Sequence, residues 1–163
     1  AEGGGEMIEH VSFEKTTYNV LPYKFEAGTP NYVGSYAFGK AIDYMQSIGL
    51  EHIAKHEHSL AEYIEQELSK IEQVRIYAAG REKAGAVSFN VYRGDGALIH
   101  PFDVGVLLDR QGVAVRTGHH CAEPLIDYLG VPGTVRASVG LYNTKEDIDT
   151  FIVALKKAIM MLE

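Results

Sequence analysis

Residues 86–92 read Ala86-Val87-Ser88-Phe89-Asn90-Val91-Tyr92, a strand pattern in the middle of the chain. Every second residue from Val87 to Val91 is apolar, and polar Ser88 and Asn90 stand between them. This alternation predicts a half-buried strand, because successive side chains of a strand point to opposite faces. Residues 135–139 repeat the pattern, and shorter strands are predicted at 74–77 and 113–116.

Helical patterns surround these strands. Apolar residues at helical spacing predict helices at 34–48, at 50–71, from 101 to about 111, and after Thr144. Thr144 followed by Asp147 resembles a capping box for the last of these helices. Two helices followed by strands interleaved with helices predict an α/β sandwich of the α+β type, a small sheet with helices on one side.

The remaining segments give weaker signals. The first thirty residues are predicted to be irregular, and the glycine run at 3–5 reads as a flexible loop without phosphate-binding spacing. The helix at 34–48 is expected to bury one apolar face. Its residues are Ala37, Phe38, Ala41, Ile42 and Met45.

Composition limits the possible functions. A chain of 163 residues with 46% hydrophobic residues fits one compact domain. The net charge of −7 argues against a nucleic-acid surface, and no basic run opposes that reading. Each apolar run is too short to cross a bilayer, so no membrane segment is expected. A single cysteine suits a reducing compartment, which favours the cytoplasm.

That cysteine, Cys121, lies in the stretch 116–122, RTGHHCA. A lone thiol forms no internal disulfide and no thiolate-rich zinc site, so it is either a packed apolar residue or a nucleophile. Arg116 and the glycine at 118 favour the nucleophile, because positive charge favours the reactive thiolate. The pair His119 and His120 could bind metal, but adjacent side chains diverge and no metal motif accompanies them.

Two arginines and a threonine are further candidates. Arg116 and Arg136 fall on the polar faces of their predicted strands, where they either form surface salt bridges or bind a carboxylate bidentately. Alternation allows both to point into one cleft and equally allows two solvated side chains. Thr29, between Gly28 and Pro30, suits a turn; a phosphate-binding role would need main-chain donors beside it.

Several motifs in order resemble the C-terminal part of a SufS-type (group II, NifS-like) cysteine desulfurase. The segment 3–8 resembles the glycine-rich segment after the family's lysine, and 21–31 resembles the part that reaches the neighbouring subunit's cofactor site. The stretch 116–122 resembles the active-cysteine loop, and 135–138 with Tyr142 and Asn143 resembles the strand after it.

The resemblance implies a pyridoxal 5'-phosphate (PLP) enzyme of the aspartate aminotransferase fold (fold type I). It implies conversion of L-cysteine to L-alanine, with the sulfur held as a persulfide on Cys121 for iron–sulfur cluster assembly or sulfur transfer. Arg136 would hold the substrate carboxylate, Arg116 would support it, and Thr29 would reach the cofactor phosphate across a homodimer interface. A SufE-like or SufU-like protein would accept the sulfur.

The family's Schiff-base lysine follows a histidine, and none of the lysines here does. We therefore expect a fragment: residues 1–33 from the end of the large PLP-binding domain, and 34–163 as the small C-terminal domain with its connecting helix. The fragment alone is expected to be inactive. Alternatives are a selenocysteine lyase, an epimerase or another fold-type-I enzyme, and, in a different class, a non-catalytic module that binds a sulfur acceptor.

Overall fold

The computed structural model describes residues 4–163, so Gly3, the first residue of the glycine run, lies outside the described part. The chain forms two compact units that divide between Ile48 and Gly49. The division falls later than the boundary expected after residue 33, because the first long helix belongs to the first unit. The assignment of 1–33 and 34–163 to domains of a larger protein stays a prediction.

The first unit contains a hairpin that the sequence did not suggest. Strands β1 (Ile8–Val11) and β2 (Thr16–Tyr18) pair antiparallel, and short 3-10 helices lie at Gly5–Met7 and Tyr23–Phe25. The expectation of an irregular first thirty residues is wrong at these elements. Gly4 is needed at its position because a β-carbon there would overlap the carbonyl group of Ala27.

Helix α1 (Tyr32–Ile48) completes the first unit, close to its predicted bounds. The expected burial of its apolar face is wrong, since none of its residues is buried and Phe38 keeps 68% of its surface exposed. Helical spacing identifies an apolar face, but it does not supply the surface that would cover it.

The second unit is built on a five-stranded antiparallel sheet. Its strands are β3 (Val74–Ile76), β4 (Ala86–Tyr92), β5 (Leu98–Ile99), β6 (Arg116–Gly118) and β7 (Thr134–Ser138). The order is β3-β4-β7-β6, and β5 pairs with the end of β4. In the central pair Phe89 faces Val135 and Ser88 faces Arg136, so the alternation of both strands is in register.

The helices of the second unit are α2 (Leu50–Leu68), α3 (Pro101–Asp109), α4 (Glu123–Leu129) and α5 (Lys145–Leu162). Helices α2, α3 and α5 share one core with the apolar face of the sheet, where the Phe89 and Phe151 rings lie 6.0 Å apart. The Thr144–Asp147 capping box is present at the start of α5, as predicted. The predicted small sheet packed against helices is confirmed.

One predicted strand is displaced. The segment 113–116 was expected to be a strand, but backbone pairing begins at Arg116 and continues to Gly118. Val113 and Val115 do pack against the core, which explains the misleading pattern: apolar alternation reports burial, whereas a strand also needs paired neighbours. Helix α4 and strand β5 were not predicted. No helix of the described residues is long and apolar enough to span a membrane.

Candidate active site

Arg116 and Arg136 are direct cross-strand partners in the β6–β7 pair. Directly opposite residues of an antiparallel pair project from the same face. That face is opposite the helices, because the alternating neighbours of Arg136, Val135 and Ala137, are buried in the core. Of the two orientations that the sequence left open, the structure has the one in which both arginine side chains project from the same face of the sheet.

Within residues 4–163, neither guanidinium is neutralised by a carboxylate. Among the described residues no ion pair includes Arg116 or Arg136. The Nε of Arg136 is also buried without a hydrogen-bond partner there. The surface salt bridges considered for these arginines are therefore not formed in the described part. Two adjacent cations with unused donors suit a planar anion such as a carboxylate.

Cys121 lies in the loop between β6 and α4, and its thiol is exposed. Arg116 Nη2 lies 3.4 Å from Cys121 Sγ, within hydrogen-bond distance for sulfur. His120 and Cys121 both have positive φ angles, 55° and 61°, which non-glycine residues rarely adopt. The packed-thiol alternative does not fit an exposed side chain; this thiol is available as a nucleophile beside a fixed positive charge.

His120 turns inward from the same loop. Its Nε2 lies 2.8 Å from Thr134 Oγ1 and 3.1 Å from the Thr134 carbonyl oxygen. Burial lowers the pKa of His120, and Arg136, Arg116 and His119 lower it further, against the opposing effect of the Thr134 carbonyl. His119 instead points toward Glu123, with 3.8 Å between Nδ1 and the carboxylate oxygen. The two histidines thus diverge, as adjacent side chains should.

Beneath the loop lies a buried polar contact that the sequence analysis missed. Asn90 is fully buried and donates through Nδ2 to the Gly133 carbonyl at 2.9 Å and to the Tyr77 hydroxyl at 3.1 Å. Gly133 approaches Gly118 so closely that a β-carbon would lie 3.0 Å from the Gly118 α-carbon. A polar residue inside a strand of apolar neighbours was the available signal for Asn90.

Thr29 belongs to the other unit, where it lies in an exposed bend after the 3-10 helix Tyr23–Phe25. Its expected contact with a cofactor phosphate stays a prediction. As for metals, no cluster of three or more histidine, cysteine, aspartate or glutamate residues with binding geometry occurs in residues 4–163.

The described residues fit only part of a PLP site. The arginine pair suits a substrate carboxylate, but the lysines of the second unit are engaged elsewhere: Lys83 with Glu65, Lys70 with Glu67, and Lys145 over the Tyr63 ring. Lys55, Lys156 and Lys157 are exposed on helices. The arginine–cysteine constellation therefore has no lysine of the second unit in contact with it, so these residues do not supply a Schiff-base lysine.

A small antiparallel sheet backed by three helices, with an exposed cysteine between two strands, suits the C-terminal portion of a PLP-dependent fold-type-I protein. The family comparison agrees. The chain belongs to the aminotransferase class-V family, whose model matches residues 1–151. This match includes residues of both compact units.

A curated relative is named "Probable cysteine desulfurase", from Halalkalibacterium halodurans. It is 48% identical over 156 residues, which cover 96% of this chain and 37% of that protein. The chain thus spans little more than a third of the length of this relative.

Two solved structures are similar over 99% of the chain. The cysteine desulfurase CsdA (S-sulfonic acid) from Escherichia coli has a TM-score of 0.81 at 36% identity. The apo cysteine desulfurase from Thermococcus onnurineus NA1 has a TM-score of 0.81 at 39% identity. The chain covers 39% of each of those chains.

Proposed function

We propose that this chain is the C-terminal part of a SufS-type, PLP-dependent cysteine desulfurase, in which Cys121 accepts sulfur from L-cysteine. The observation that carries the proposal is the Arg116 contact with Cys121 Sγ, since it joins a nucleophile to a carboxylate-binding pair in one constellation. The similar proteins named cysteine desulfurase support it.

The proposed sulfur transfer needs no external oxidant. Cys121 Sγ attacks the sulfur of the bound cysteine, an S–S bond forms, and the bond between the substrate β-carbon and sulfur breaks. The bonding pair stays with the carbon, which is protonated to give L-alanine. Sulfur is oxidised to the persulfide level and carbon is reduced. PLP, when bound, supplies the electron sink that makes the substrate carbon reactive.

The residues of this chain would position the substrate and stabilise the negative charge on the attacking sulfur. Arg136 would bind the substrate carboxylate through its unused donors, and Arg116 would support it while stabilising negative charge on Cys121 Sγ. The exposed loop would then present the persulfide to a SufE-like or SufU-like acceptor. Thr29 would bind the cofactor phosphate in a homodimer, and the protein would work in the cytoplasm.

The test uses the longer protein that contains this chain. Cys121→Ala should reduce alanine release from L-cysteine to background. Arg136→Lys should raise KM about 10- to 100-fold, the range expected when hydrogen bonds to a charged group are lost. Arg75→Lys, on the far edge strand β3, is the matched control and should change neither value. A Cys121→Ala protein that still releases alanine at the parent rate would contradict the proposal.

The same variants, assayed with selenocysteine and for partner binding as well, separate the alternatives. A selenocysteine lyase would turn over selenocysteine much faster than cysteine, and an epimerase would tolerate Cys121→Ala. A non-catalytic module would bind its partner equally well with Cys121 and Arg136 replaced.

We further propose that the 163 residues alone form no covalent PLP site. After incubation with PLP and borohydride reduction, intact mass should show no stoichiometric adduct, because Lys70 and Lys83 are paired with glutamates and no lysine of the second unit contacts the arginine–cysteine constellation. Stoichiometric labelling of one lysine would overturn this part of the proposal.

A further inference from the structure

Thr134 is a buried, strand-paired residue that contacts the cysteine loop through His120. It is 2% exposed and lies at the start of β7, opposite Gly118 of β6. The preceding carbonyl, that of Gly133, accepts a hydrogen bond from fully buried Asn90. Thr134 is thus restrained by the hydrogen bond to the adjacent Gly133 and by its pairing with Gly118, which makes it a rigid support.

His120 connects the loop to that support. His120 Nε2 lies 2.8 Å from the Thr134 hydroxyl oxygen and 3.1 Å from the Thr134 carbonyl oxygen, so the closer of the two contacts is with the hydroxyl. The buried Nδ1 of the same ring has no hydrogen-bond partner among the described residues. The contact restrains the residue directly before Cys121.

The loop needs such a restraint. Two consecutive non-glycine residues with φ near 60° each cost roughly 1 kcal/mol or more, and such a conformation persists only where its surroundings hold it. If the loop relaxed to negative φ angles, Cys121 Sγ would leave its position 3.4 Å from Arg116 Nη2.

We propose that His120 and Thr134 form a latch that holds the cysteine loop, which makes Thr134 a positioning residue for Cys121. This inference rests on the proposed function. If Cys121 accepts sulfur, its thiol must be held in position, and the latch does so. Thr134 acts through His120 and touches neither substrate nor sulfur.

Cys121 is the only cysteine in the chain, so iodoacetamide reports on this one thiol. Thr134→Val keeps the shape but removes the hydroxyl, and it should slow alkylation about two- to tenfold, the equivalent of one hydrogen bond. Thr134→Ser restores the hydroxyl and should react within about twofold of the parent chain. Thr150→Val is the matched control, because the Thr150 hydroxyl donates to the Glu146 carbonyl within α5, and it should have no effect.

A double-mutant cycle tells positioning apart from general loosening. If the latch acts by holding Sγ beside Arg116, Thr134→Val should have little further effect in an Arg116→Ala background. Additive losses would overturn the latch. Amide exchange at Ala122, whose N–H donates to the His119 carbonyl at 2.9 Å, should accelerate in Thr134→Val and stay unchanged in Thr134→Ser.

If Thr134→Val does not fold, His120→Asn removes the ring while tolerating positive φ, and it should slow alkylation similarly. Parent-like alkylation and exchange in the folded variants would overturn the latch. That result would leave the proposed function untouched, because the latter is judged by alanine release from Cys121→Ala in the longer protein.

Discussion

Arg116 and Arg136 face each other directly across the β6–β7 pair, with no carboxylate paired to either among the described residues. Like charges directly opposite in a sheet destabilise it, by roughly 0.2–1 kcal/mol. Arg136 Nε adds a buried donor without a partner. An arrangement that weakens the free protein but complements an anion is expected of a binding site.

The arginine pair should therefore cost stability in the free chain. Arg136→Gln is expected to raise the free energy of unfolding by about 0.5 kcal/mol at low salt, since it removes the cross-strand repulsion. Added salt should reduce the difference in unfolding free energy between the variant and the parent chain, because salt screens the repulsion in the parent chain. Urea unfolding measures both. Arg75→Gln is the control: Arg75 faces neutral Asn90 and should give no such gain. A loss of stability that salt leaves unchanged would contradict the prediction.

Gly133 supports the cysteine loop through contact with Gly118. In Gly133→Ala the new methyl group would lie 3.0 Å from the Gly118 α-carbon and 3.2 Å from its carbonyl carbon and oxygen. We expect a loss of about 1–3 kcal/mol in urea unfolding. Gly112→Ala is the control, because Gly112 also has a positive φ but opens onto empty space. A loss in Gly133→Ala no larger than that in Gly112→Ala would contradict the prediction that the contact with Gly118 adds to the cost.

Helix α3 packs closely against β6 at Gly105. A β-carbon at Gly105 would lie 2.6 Å from Thr117 Cγ2, so Gly105→Ala should destabilise the chain by about 1–3 kcal/mol through overpacking. Thr117→Ser removes Cγ2 and should recover most of that loss in the double variant. Thermal or urea unfolding of the two single variants and the double variant gives the coupling energy. Additive effects would mean that the strain is relieved elsewhere.

The sequence predicts the central sheet well where local pattern and long-range pairing agree. Alternation over 86–92 and 135–139 matches β4 and nearly matches β7, and the Thr144 capping box is present. The apolar pattern misleads where a residue is buried without being strand-paired, or where an apolar helix face is not covered. Val113 and Val115 are packed without belonging to a strand, and α1 has an apolar face with no buried residue.

The candidate site was predictable in its residues but not in its geometry. Cys121, Arg116 and Arg136 could be singled out by chemistry, whereas the pairing of the two arginines depends on the register between strands separated by a loop and a helix. Thr134 and Asn90 carried too little signal, because a polar residue in a strand is usually solvent-facing, and here the cysteine loop and Gly133 cover that face.

His120 should make the stability of the chain depend on pH. Its pKa is lowered in the folded state by burial and by the facing charges of Arg136, Arg116 and His119, while the unfolded chain has the ordinary value of about 6.5. As pH falls below about 6.5, the unfolded state takes up a proton first, and the folded state loses stability until its own lower pKa is passed. Above pH 6.5 the contribution is fully present.

In His120→Asn the free energy of unfolding should therefore depend less on pH below about 6.5 than it does in the parent chain. This weaker pH dependence is expected even though the latch is lost. Urea unfolding at several pH values provides the measurement, with His58→Asn on α2 as the matched control, which should keep the slope that His120 produces. An unchanged slope in His120→Asn would mean that other groups set the pH dependence.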